Sequence, residues 1–104
     1  MRVELRYFDD CPNWRTADRH LRALASELDL DLTHRLVETP EDAEALGFRG
    51  SPSIVIDDVD LFAVGPQPVG LSCRIYETPD GPAGSPTVEQ LRAALADPSR
   101  GENP

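Results

Sequence analysis

The hydrophobic period of this chain changes abruptly near its start, and that change restricts the fold more than any other feature. In residues 2–8, RVELRYF, the side chains alternate, with Val3, Leu5 and Tyr7 on one face and Arg2, Glu4 and Arg6 on the other. A period of two reads as a strand. From Asn13 onward Trp14, Ala17, Leu21, Leu24 and Leu28 recur at steps of three and four, which makes one apolar stripe on a helix of about four turns. Arg15, Asp18, Arg19 and Arg22 fall off that stripe and read as its solvated face. The junction is Asp9-Asp10-Cys11-Pro12. Pro12 suits the first position of the helix, where its missing N–H would be unbonded anyway.

The same reasoning continues along the chain. Leu32, His34 and Leu36 alternate with Thr33 and Arg35, a second strand. Thr39-Pro40-Glu41-Asp42 starts a helix: Thr39 caps, Pro40 takes the first position, and the acids face the positive end of the dipole. Gly47 ends it with a left-handed cap. Ser53–Asp57 reads as a buried strand built on Ile54, Val55 and Ile56. Residues 58–71 are irregular, rich in Asp, Gly and Pro. Asp57-Asp58-Val59-Asp60 has the composition of part of a calcium loop but lacks the spacing, and reads as a solvated turn. Residues 71–76, LSCRIY, are the next strand, residues 78–86 a loop, and Thr87 with Gln90 a capping box before a last helix carrying Val88, Leu91 and Leu95. The order β-α-β-α-β-β-α defines an α/β domain with a mixed four-stranded sheet and about three helices. The domain is expected to span residues 1–97, with 98–104 a frayed tail.

Composition narrows the function. A chain of 104 residues is the size of one domain. Its 10 basic and 19 acidic residues give a net charge of −9, which disfavours nucleic acid and anionic membrane surfaces as partners. No apolar run is long enough to span a bilayer, and the first residues do not read as a secretory signal. Two cysteines, Cys11 and Cys73, are too few for a disulfide-stapled secreted scaffold, so a cytoplasmic, reducing location is expected. Cys11, Cys73, His20 and His34 lack the paired spacing of a structural zinc site. His20 reads as solvated and His34 as a satisfied, partly buried histidine.

Cys11-Pro12-Asn13-Trp14 between the first strand and first helix, and Gly50-Ser51-Pro52 just before the third strand, resemble the thioredoxin-like superfamily. The first stands where that family has Cys-x-x-Cys, the second where it has a cis-proline facing the active cysteine. The resemblance covers residues 2–96. It implies a cis Ser51–Pro52 bond, Cys11 as the nucleophile, and Pro12, Asn13, Trp14, Ser51 and Pro52 shaping the substrate side. Trp14 replaces the resolving cysteine, so the expected protein is a monothiol variant. Its Cys11 would form a mixed disulfide with a low-molecular-weight or protein thiol that an external thiol then resolves. No cofactor is expected beyond a glutathione-like thiol. That layout also places Cys73 at the end of its strand away from the cis-proline, so Cys73 reads as a buried, inert thiol, with a disulfide to Cys11 as the alternative reading.

For Cys11 the effects oppose one another. Amides at the helix start near Asn13 and Trp14 favour a thiolate, Asp9 and Asp10 disfavour it, and Arg15 offsets them. Two other functions fit the residues. The missing resolving cysteine fits a non-catalytic binding or adaptor module. Soft-metal or cluster capture through Cys11 with glutathione is the other, although the C-G-F-S motif of monothiol glutaredoxins is absent.

Overall fold

A computed structural model describes residues 1–62 and 69–96. Asp97, the tail 98–104 and part of the irregular 58–71 stretch lie outside the described residues. The elements run β1 (Arg2–Tyr7), α1 (Trp14–Leu28), β2 (Asp31–Leu36), α2 (Pro40–Leu46), β3 (Ser53–Ile56), β4 (Val59–Asp60), β5 (Tyr76–Thr78), β6 (Gly81–Ala83) and α3 (Val88–Ala96). The main sheet has the order β2-β1-β3-β4. β1 pairs with β2 in parallel, and β1–β3 and β3–β4 are antiparallel. The α/β class, the mixed four-stranded sheet and the three helices are those expected from the sequence.

The fourth strand is not the expected one. Val59-Asp60 completes the sheet, and residues 71–75 form no ladder strand. The reason is the turn that precedes β4. Asp57 and Asp58 both take positive φ, 51° and 64°, as a two-residue hairpin that matches strand twist requires. The chain therefore reverses at once, where a sequence lacking Asn-Gly or Asp-Gly gives little warning. Residues 76–83, expected to be mostly loop, form the separate β5–β6 hairpin.

Helix ends follow local chemistry. In α2 the Thr39 hydroxyl accepts from the Asp42 amide at 3.0 Å, and Gly47 caps the other end at φ 64°. Thr87 and Gln90 bond reciprocally at 3.0 and 3.1 Å, completing the capping box of α3. Pro12 corrects the expectation for α1. The helix starts at Trp14 with Asn13 as its N-cap, and Pro12 sits exposed in the preceding turn. There its carbonyl accepts from the Arg15 amide.

One face of the sheet carries the main core. Val3, Leu5, Ile54 and Ile56 meet Ala17, Leu21 and Leu24 of α1 and Leu91 and Leu95 of α3. Burying these side chains is the chief stabilising contribution. Leu61 and Phe62 pack against the same cluster. A smaller cluster joins Val37, Ala43 and Phe48. No helix among the described residues is long and apolar enough to cross a membrane.

The other face of β1 is ionic. Arg6, with a side chain 6% exposed, pairs with Glu4 and with Asp58, and donates to the Leu46 carbonyl at the end of α2. Arg35 also reaches Glu4, at 3.2 Å. Burial alone would raise the Glu4 pKa, but the bonds from Arg6 and Arg35 outweigh it and hold the carboxyl below its usual value of 4.5. Asp18 behaves alike: burial opposes ionisation, while Arg22 and His34 overcome it.

A carboxyl whose pKa is lower folded than unfolded stabilises the fold above its unfolded pKa and loses that contribution as pH falls through its folded value. Urea melts between about pH 6 and about pH 3 are therefore expected to show stability falling on the acid side of about pH 4.5. Glu4→Gln is expected to flatten that fall by about 1 kcal/mol. An unchanged acid slope in the variant would refute the assignment to Glu4.

Candidate functional site

The site forms where the β1–α1 connection meets the turn before β3. The Cys11 amide donates to the Phe8 carbonyl at 3.1 Å, which closes the turn that carries Cys11 off the end of β1. Cys11 is 1% exposed. Facing it is the Ser51–Pro52 peptide bond, which is cis as expected. The Cys11 sulfur lies 3.8 Å from the Ser51 carbonyl oxygen.

Cys73 overturns its expectation. It is exposed, and it forms a disulfide with Cys11, with the two Cα atoms 5.7 Å apart. The expected distance between them assumed that residues 71–76 were the fourth strand. Because β4 takes that place, residues 72–74 run instead alongside Ser51. The Ser51 amide donates to the Ser72 carbonyl at 2.7 Å, and the Arg74 amide donates to the Ser51 carbonyl at 2.9 Å. Ser51 and Cys73 thus form an isolated parallel bridge, and both backbone groups of Ser51 are occupied by the chain itself.

Residues 74 and 76 lock this arrangement. Arg74 is 4% exposed. It forms an ion pair with Asp60 at 2.6 Å and donates to the Ser53 hydroxyl at 3.1 Å and the Phe62 carbonyl at 2.7 Å. Its guanidinium also lies over the Tyr76 ring, 4.8 Å from the centroid. The Ser53 hydroxyl in turn donates to the Gly50 carbonyl at 2.7 Å. The buried Tyr76 hydroxyl donates to the Pro52 carbonyl, and burial, partly opposed by Arg74, pushes its pKa well above the usual tyrosine range.

Gly50 permits the close approach. Its φ is 111°, and a Cβ built there would lie 3.1 Å from the Arg74 Cβ and 3.2 Å from the Ser72 carbonyl oxygen. That combination of left-handed backbone and crowding suits glycine alone. Each residue from Gly50 to Ser53 is therefore tied to residues 72–76.

The remaining expected site residues lie elsewhere. Trp14 stacks on Tyr7 with ring centroids 4.4 Å apart and packs against the main core, with Arg15 over its ring. Asn13 lines a cleft of about 270 Å³ with Thr16, His20 and the β5–β6 hairpin. His20, expected to be solvated, is half-buried there with Nδ1 3.2 Å from the Pro86 carbonyl oxygen. His34 has the expected polar partner, with Nε2 2.6 Å from Asp18, but it lies on the exposed side of β2 and is not partly buried. Cys11, Ser51 and Pro52 are thus brought together, whereas Pro12, Asn13 and Trp14 surround the helix start.

Cys73, Arg74 and Tyr76 were missed as site residues. Residues 71–76 read only as a strand, and nothing local in LSCRIY points to the Ser51 turn. Among the described residues no group of three or more His, Cys, Asp or Glu side chains is placed to hold a metal ion. No family model matches the chain, and neither a curated protein nor a solved structure does.

Proposed function

We propose that this chain is a thioredoxin-like thiol–disulfide exchange protein whose redox couple is Cys11 with Cys73. The observation that carries the reading is the Cys11–Cys73 disulfide lying against the cis Ser51–Pro52 turn, with one cysteine buried and the other exposed. The strand order β2-β1-β3-β4 with α1 and α3 on one face supports the family resemblance. In place of a monothiol resolved from outside, the chain supplies its own second thiol, distant in sequence and adjacent in space. In a reducing compartment, a disulfide of this kind is catalytic or redox-sensing rather than a permanent staple.

The exchange is a two-electron reaction. Two thiols of a partner become a disulfide while the Cys11–Cys73 bond becomes two thiols, or the reverse. The test is equilibration with glutathione buffers of graded thiol-to-disulfide ratio, followed by alkylation and mass measurement. Cys11 and Cys73 are expected to gain the alkylating tag together, at one ratio within the range that glutathione covers. A bond that stays closed in fully reducing glutathione would define a structural staple. The thioredoxin-like binding or adaptor module would then be the better reading.

A further inference from the structure

The two sulfurs of this bond are not equivalent, and the neighbouring backbone is already in use. We infer that an external thiolate attacks the disulfide at Cys73, leaving Cys11 as the departing thiolate, and that its attackers are compact thiols rather than extended peptides. This rests on the exchange reading above and specifies its chemistry.

The choice of sulfur follows from burial. Exchange proceeds by a thiolate reaching one sulfur of the bond, and access decides which. Cys11 is 1% exposed, under the Phe8 turn and against the Ser51 carbonyl, whereas Cys73 is exposed. The motif position of Cys11 at the helix start would make it the attacking and attacked residue. The fold gives the outward role to Cys73.

The choice of attacker follows from the backbone. A peptide that docks by strand addition needs a free N–H and C=O on the receiving strand. Both groups of Ser51 are bonded to Ser72 and Arg74, and Arg74 is held by Asp60, Ser53 and Phe62. Residues 72–74 therefore fill the position an incoming strand would take. A small thiol needs no such docking.

The step balances as follows. The thiolate sulfur forms a bond to the Cys73 sulfur, the Cys11–Cys73 bond breaks, and its electron pair leaves on the Cys11 sulfur. A second thiolate then attacks the adduct, releasing the small disulfide and the Cys73 thiolate. Two protons brought by the small thiols end on Cys11 and Cys73.

The oxidised native protein is treated with limiting free cysteine, quenched in acid and mapped by mass spectrometry. The cysteinyl adduct is expected on Cys73 and the free thiol at Cys11. In parallel, reduced Cys11→Ser and Cys73→Ser proteins react with glutathione disulfide. The thiol of Cys73 is expected to react about tenfold faster than that of Cys11. Free cysteine is also expected to open the native bond about tenfold faster than an unstructured peptide with one central cysteine. An adduct on Cys11, a faster Cys11 thiol, or equal rates for peptide and cysteine would overturn this assignment while leaving exchange itself intact. A native bond that no thiol opens would overturn the exchange reading, and this assignment with it.

Discussion

Reducing the Cys11–Cys73 bond is expected to lower the unfolding free energy by about 4 kcal/mol, the loop-entropy value for so long a closed segment. The two cysteines are 62 residues apart in sequence, and the cross-link removes the freedom of that whole stretch from the unfolded chain. For a domain of this size the loss corresponds to a fall in melting temperature of roughly 15–30 °C. Urea melts with and without a phosphine reductant check it, and the Cys11→Ser, Cys73→Ser double variant should match the reduced native protein. A difference below about 1 kcal/mol would show that loop closure contributes little here. The effect also runs backwards. Whatever the bond adds to the fold, the fold adds to the bond, so conditions that loosen the native structure also make the disulfide easier to reduce.

The second large effect is expected at Arg74. Arg74→Met keeps much of the side-chain volume but removes the charge. It would leave Asp60, whose side chain is 15% exposed, without its 2.6 Å partner. It would also take donors from the Ser53 hydroxyl and the Phe62 carbonyl. Breaking a buried pair from one side costs about 3–5 kcal/mol, because the remaining charge is stranded. Arg74→Lys should recover only part, since an ammonium cannot reproduce the planar fork that serves several acceptors at once. Asp60→Asn in the Arg74→Met background should be milder than the sum of the single changes, with a coupling of about 1–3 kcal/mol. Strict additivity in that double-variant cycle, measured by urea denaturation, would mean that Arg74 acts by packing on Tyr76 and not through Asp60.

Much of this fold was legible because its signals are local. The alternation of Val3 and Leu5, the stripe from Ala17 to Leu24, the Thr39 cap and the Thr87–Gln90 box each depend on residues within a few positions of one another. The Ser51–Pro52 turn was legible only through resemblance. Cys73 was misread because its role depends on where residues 72–74 lie, and that was settled by Asp57 and Asp58. Once those residues reverse the chain, Val59 and Asp60 occupy the sheet edge and the later segment is displaced onto Ser51. Arg74 was opaque for the same reason: Asp60, Ser53 and Phe62 converge on it only after the hairpin has formed. Pro12 shows a smaller limit. Proline fits both the first helical position and the turn before it, and the Pro12 carbonyl bonded to the Arg15 amide decided for the turn.

The bridge between Ser51 and Cys73 also sets the molecularity of disulfide formation. Held beside Cys11 by backbone bonds and by Arg74, Cys73 is present at an effective concentration fixed by the fold, which no diluted or crowded solution alters. Closure is first order, while a disulfide between two copies of the chain is second order and must compete with a thiol already at contact. On the proposed exchange reading, oxidation is thereby directed inward, to the bond within one chain, and not toward a link between neighbours.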